Sequence, residues 1–107
     1  MMEWYVIFHD KAKKEFDKLN NSPKVQVAKA IQKVSQNPLP QSEGGYGKPL
    51  SNNQSSKLAG CLKIKLKGIG IRVVYQLVRE DAMMKIIIIA VRDDDKVYKE
   101  AENRINR

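Results

Sequence analysis

The segment Leu62-Lys63-Ile64-Lys65-Leu66-Lys67 alternates strictly between aliphatic and basic residues, and no other stretch of the chain limits the fold as tightly. A period of two marks a strand with one buried face, and a slip of one residue would turn every lysine into the core. Gly68-Ile69-Gly70 offers a turn, after which Ile71, Val73, Tyr75 and Leu77 alternate with Arg72, Val74, Gln76 and Val78. Matching the two apolar faces predicts a hairpin with Lys67 opposite Arg72, so that Lys63, Lys65, Lys67 and Arg72 share one face. Glu80-Asp81 reads as the next turn. Met83 to Val91 is almost wholly apolar, as expected of a central strand covered on both sides.

The flanks supply the layer that such a sheet needs. Trp4 to Phe8 is aromatic and β-branched and reads as a first strand. Asp10 is placed as the N-cap of a helix whose Ala12, Phe16 and Leu19 form one apolar stripe. Ser22 as N-cap and Pro23 at the first helical position open a second helix with the stripe Val27, Ile31 and Val34, closed by Asn37-Pro38. Residues 37–57 are rich in Pro, Gly, Ser, Asn and Gln and read as a long loop. Asp93-Asp94-Asp95 suits the positive end of a last helix, with Val97, Ala101 and Ile105 buried. The expectation is one α+β domain over residues 1–107: a small antiparallel sheet of about four strands, an N-terminal helical hairpin and a C-terminal helix.

Charge narrows the class of partner. The chain carries a formal net charge of +8 in 107 residues. Residues 44–79 hold Lys48, Lys57, Lys63, Lys65, Lys67, Arg72 and Arg79 without one Asp or Glu. Such a concentration predicts a polyanionic partner, and strand periodicity in place of a long basic amphipathic helix favours nucleic acid over lipid. The longest apolar run falls far short of the roughly 20 residues of a membrane span, and no secretory pattern opens the chain. With Cys61 as the single cysteine and no internal disulfide to form, a cytoplasmic protein without membrane contact is expected.

If the polyanion is RNA, cleavage without a metal needs a base for the 2′-hydroxyl, a cradle for the pentacovalent phosphate and help for the departing 5′-oxygen. His9 is the only histidine, which excludes a two-histidine mechanism. Clustered lysines are the available substitute, because like charges disfavour one another's protonated forms. Lys63 and Lys65 would stand about 6–7 Å apart on one strand face, with Arg72 across the hairpin. An isolated lysine strand is usually an ordinary solvated face, and Tyr98, beside the last helix's apolar stripe, is open to a purely packing role. The acidic triplet fits helix capping better than magnesium binding, since three consecutive carboxylates cannot face one ion. His9 and Cys61 have no partner at ligand spacing, and Gly44-Gly45-Tyr46-Gly47 lacks the strand and helix of a phosphate-binding loop. No metal and no cofactor are expected.

Lys63 to Lys67, Gly70-Ile71-Arg72-Val73-Val74-Tyr75, Val91-Arg92-Asp93-Asp94 with Val97-Tyr98, and Lys48-Pro49-Leu50 together resemble the RelE family of toxins from type II toxin–antitoxin systems. The likeness covers nearly the whole chain in element order and is strongest from Lys63 to Tyr98. It departs in a longer, more polar loop before Lys57 and in Cys61-Leu62, where an aromatic is often found. The resemblance implies a metal-independent endoribonuclease that cuts mRNA in the ribosomal A site. It assigns Lys65 as general base, Lys63 and Arg72 as phosphate stabilisers, Arg92 as stabiliser of the leaving oxygen and Tyr98 as a stacking or orienting residue. Lys48, Lys57 and Lys67 would bind RNA or ribosome. It also implies a cognate RelB-like antitoxin whose acidic segment wraps the toxin, contact with the ribosomal small subunit and mRNA, and operator binding only through the antitoxin. Two alternatives have different chemistry: a ParE-like toxin that inhibits DNA gyrase without catalysis, whose relatives generally lack the full lysine, arginine and tyrosine set, and an RNA-binding module without turnover.

Overall fold

The computed structural model describes residues 4–50, 58, 60–91 and 94–105. Eight elements follow one another: β1 (Tyr5–Phe8), α1 (Asp10–Asp17), α2 (Asn21–Ser35), β2 (Lys48–Pro49), β3 (Cys61–Leu66), β4 (Ile71–Val78), β5 (Met83–Val91) and α3 (Asp94–Ile105). The strands form one sheet in the order β1-β5-β4-β3-β2. Strands β2 to β5 pair antiparallel, whereas β1 runs parallel to β5.

The α+β class, the helical hairpin and the terminal helix are as expected, while the sheet differs in two respects. It has five strands and is mixed. The additional strand is the two-residue β2, which is too short for a periodic signal and contains Pro49, a residue tolerated only at sheet edges. β1 has four residues, and a period of two does not distinguish parallel from antiparallel pairing. The first part of the expected loop is therefore ordered structure, with a bridge between Pro40 and Gly47 ahead of β2. Residues 51–57 of that loop lie outside the described residues.

Each face of the sheet carries its own core. Leu62, Ile64, Ile71, Val73, Tyr75, Met84, Ile86 and Ile89 pack against Ala12, Val27, Ile31 and Val34 of the helical hairpin. On the opposite face Cys61, Val74, Ile87 and Ile88 pack with Leu50, Leu58, Val97 and Ala101. β4 and β5 are thus covered on both sides, which is why β5 shows no alternation. The helix starts are shifted from those expected. His9, not Asp10, caps α1, its Nδ1 accepting from the Lys11 amide at 3.1 Å. Asn20, not Ser22, is the N-cap of α2, which leaves Pro23 inside the first turn, where a missing N–H costs no helical bond. Among the described residues no helix is long and apolar enough to cross a membrane.

Candidate functional site

The basic face is built by cross-strand pairing. Lys48 lies opposite Lys63, Lys63 opposite Val74 and Val74 opposite Ile88, forming one row across β2, β3, β4 and β5. The next row places Lys65 opposite Arg72 and Arg72 opposite Ala90. Directly opposed residues have Cβ atoms about 4.5–5.5 Å apart, so the two rows bring Lys48, Lys63, Lys65 and Arg72 together on the face that α3 also covers.

This register corrects the expected pairing of Lys67 with Arg72. Residues Lys67–Ile69 form a 3-10 turn closed by Gly70 in the left-handed region (φ 66°), so the strand ends at Leu66, opposite Ile71. The turn consumes Lys67, leaving it exposed beyond the strand, and hands its place opposite Arg72 to Lys65. Lys65 and Arg72 line an open cleft of about 310 Å³ with Leu66, Lys67, Gly70 and Ile71.

Lys63 is the buried member of the group, only 7% exposed. It lies in the row of Val74 and Ile88, and its Nζ donates to the Tyr98 hydroxyl at 3.4 Å. A buried ammonium needs such a partner, and a half-buried tyrosine on α3 provides one while its ring packs on the apolar cluster around Val97 and Ala101. The packing role considered for Tyr98 is thus present, together with a contact to Lys63. Lys57 and Arg92 lie outside the described residues, as do the side chains of Asp94 and Asp95.

One buried cluster of charged residues was not anticipated from the sequence. Arg104 is 7% exposed and sits where a stripe residue belongs, at i+7 from Val97 and i+3 from Ala101. Its Nη1 donates to Glu15 Oε1 at 2.8 Å and to the Ile87 carbonyl at 2.7 Å. Nη2 donates to Glu15 Oε2 at 2.7 Å, and Nε to Glu100 Oε2 at 2.9 Å. Glu15 Oε1 also accepts from the Ile89 amide at 3.1 Å. Burial works against the Arg104 charge, yet the bonds to Glu15 and Glu100 outweigh it and raise the pKa above its ordinary value. A charged residue on an otherwise apolar helical stripe was the available signal; its partner, on the far side of the chain, gave none. His9 is shifted the other way, downward, by burial and then by the nearby charges of Arg104 and Lys85.

A family model described as the ParE toxin of the type II toxin–antitoxin system parDE matches residues 6–98. The chain belongs to the RelE/ParE family of type II toxins. Within that family it is 31% identical over 104 residues to the mRNA interferase toxin RelE of Escherichia coli K12, an alignment spanning 97% of this chain and 99% of that protein. A putative RelE-like toxin protein of E. coli is 32% identical over 107 residues, at 97% and 99% coverage. Among solved structures, an arginine-substituted E. coli RelE toxin in the free state superposes with a TM-score of 0.75 at 29% identity, covering 97% of this chain and 99% of that one. The RelE chain of the intact E. coli RelBE toxin–antitoxin complex gives a TM-score of 0.66 at 26% identity, over 84% and 98% of the two chains. The mixed sheet of five strands and the three helices of the described residues are thus the RelE/ParE fold.

Proposed function

We propose that this protein is an mRNA interferase, the toxin of a type II toxin–antitoxin pair, which cuts mRNA in the ribosomal A site. The observation that carries the reading is the direct pairing of Lys65 with Arg72 one row from the Lys63–Tyr98 contact. A gyrase-binding surface has no need of an amine set opposite a guanidinium, whereas phosphodiester cleavage uses both.

In this mechanism Lys65 removes the proton of the 2′-hydroxyl, and the 2′-oxygen forms a bond to phosphorus. Arg72 opposite and Lys63 behind hold the phosphorane oxygens, and the P–O5′ bond breaks to give a 2′,3′-cyclic phosphate. Arg92 stabilises the departing oxide electrostatically, because a guanidinium holds its own protons too tightly to give one up, and the oxide takes its proton from water. Tyr98 presents its ring to a base of the message. A ribosomal target implies action in the cytoplasm. The cognate antitoxin is expected to lay an acidic segment over Lys48, Lys63, Lys65 and Arg72, as charge complementarity dictates.

Cleavage of a short mRNA, on programmed ribosomes and free in solution, tests the reading with wild type beside Lys65→Ala and Arg92→Ala. Wild type should cut on ribosomes, and each variant should bind with the cleavage rate lowered by about 10²–10⁴-fold, the range for loss of a positioned acid–base or charge-stabilising group. The family model's ParE name supplies the rival outcome: no cutting in either setting together with inhibition of gyrase supercoiling would replace the interferase by the non-enzymatic branch.

A further inference from the structure

We infer that Arg104, clamped by Glu15 and Glu100, is a positioning residue for the cleavage site: it fixes how α3 sits on the sheet and thereby sets the Tyr98 hydroxyl against Lys63. The inference rests on the proposed interferase reading and adds residues that none of the catalytic assignments includes.

α3 reaches the sheet through two kinds of contact. Val97 and Ala101 are buried and Tyr98 and Ile105 pack beside them, but these apolar contacts are non-directional and resist a small rotation or slide of the helix less than they resist its detachment. Directional contacts have to fix the remaining freedom. Arg104 makes four hydrogen bonds that reach three separate elements: Glu15 of α1, the Ile87 carbonyl of β5 and Glu100 on its own helix. The anchor on the sheet is itself a distinctive place. The β4–β5 register shifts between Val74 and Tyr75, so that Val74 faces Ile88 and Tyr75 faces Ile86, and Ile87 is the bulged residue. β1 has ended one residue earlier, the His9 amide making its last bond to the Ile86 carbonyl at 2.8 Å. Glu15 binds the Ile89 amide and Arg104 the Ile87 carbonyl, so the pair ties α1 and α3 to adjoining β5 backbone beginning at the bulge. Ile88, between them, is the floor residue of the row that holds Lys63. A shift of Arg104 therefore moves the helix that carries Tyr98 relative to the strand beneath Lys63.

An alternative in which the ion pair serves stability alone is physically distinct: removing one partner of a buried pair destabilises the fold but leaves the cleavage rate of the folded fraction unchanged. The test is a double-variant cycle in single-turnover cleavage on ribosomes. Arg104→Met should keep substrate affinity and lower the cleavage rate by about a hundredfold, as expected for a misplacement near 1 Å. In a Tyr98→Ala background, which removes ring and hydroxyl together, the same substitution should add little, because Arg104 acts on the site through Tyr98. Arg104→Lys keeps the charge but cannot fork between Glu15 and the Ile87 carbonyl, and should fall between wild type and Arg104→Met; it serves if the methionine variant does not fold. In parallel, the ring resonances of the four tyrosines, with Tyr98 assigned from Tyr98→Phe, should show Tyr98 displaced in either Arg104 variant and Tyr75 unmoved. Multiplicative losses in the double variant, or a Tyr98 resonance unchanged by Arg104 substitution, would overturn the inference. Should wild type cut nothing, the functional reading fails by itself, and the resonance experiment still decides whether Arg104 places Tyr98.

Discussion

The Cys61 thiol and the Tyr75 hydroxyl are both kept protonated by burial, which pushes Cys61 up to about 11 and moves Tyr75 well above its usual range. Tyr75 is fully buried at the centre of β4 and donates to the Pro38 carbonyl at 2.7 Å, pinning the segment before β2 to the sheet. A Cβ on Gly47 would collide with that same hydroxyl and come within 2.9 Å of both Leu62 Cδ1 and the Pro38 carbonyl, so a glycine is required where this segment crosses Tyr75. The sign of the pH effect follows from the raised values. Above pH 9.0, the ordinary thiol value, the unfolded chain gives up a proton that the native chain keeps, so stability falls as pH rises from there through about 11. Each such group steepens the fall by about 1.4 kcal/mol per pH unit, and Tyr75 joins above its ordinary 10.0. Tyr75→Phe is expected to cost about 1 kcal/mol at neutral pH, through the lost bond to Pro38, and to flatten the decline above pH 10. Urea midpoints measured from pH 7 to 11 check both parts; an alkaline slope identical to wild type would show that Tyr75 does not titrate on unfolding. At pH 8 the native Cys61 should also react with iodoacetamide about a hundredfold more slowly than an unfolded thiol, from its thiolate fraction alone.

At the level of elements, α1 depends on a cap that responds to acid. His9 accepts the Lys11 amide through Nδ1, which only the neutral ring can do, and burial with Arg104 and Lys85 nearby lowers its pKa. A depressed histidine contributes stability that is fully present above the unfolded value of 6.5 and is lost as pH falls below it towards the native value. His9→Asn should keep the cap and remove this acid sensitivity, whereas His9→Ala should cost about 1 kcal/mol at pH 7. Thermal melts between pH 5 and 7.5 separate these outcomes, and an unchanged acid limb in His9→Asn would assign that limb to the carboxylates. The same scale shows what the sequence could disclose. The stripes Ala12-Phe16-Leu19 and Val27-Ile31-Val34 and the faces of β3 and β4 were legible because each repeats a period over several turns or pleats. The Lys65–Arg72 pairing was misplaced by two residues because a helical turn with a left-handed glycine was read as a shorter hairpin loop. β2 was hidden because two residues including a proline carry no period. The Glu15–Arg104 clamp was hidden for a different reason: it joins residues 89 positions apart, and local pattern says nothing about such a pair.

For the molecule as a whole, the decisive electrostatic question is which of the clustered cations carries charge. A net charge of +8 favours any polyanion, but under the proposed function a base and a phosphate holder on one sheet face respond differently to salt. Each cation that displaces a counterion from single-stranded RNA contributes about 0.7 to the slope of log affinity against log salt. If Lys48, Lys63 and Arg72 grip the strand while Lys65 stays neutral as the base, this face contributes a slope of about −2.1, or roughly a 20-fold weakening between 50 and 200 mM salt. If Lys65 is a fourth phosphate contact the slope is about −2.8, and the weakening is roughly 50-fold. The other lysines add a common background to every variant, so differences between variants isolate these terms. The mechanism therefore predicts that Lys65→Ala, assayed on a non-cleavable 2′-deoxy-substituted strand, leaves the slope unchanged although it removes cleavage. Lys48→Ala should make the slope shallower by about 0.7 and slow cleavage only through binding. Fluorescence anisotropy titrations at four salt concentrations suffice to distinguish them. A Lys65→Ala slope shallower by about 0.7 would make Lys65 a charged phosphate ligand, and the proton of the 2′-hydroxyl would then need another acceptor.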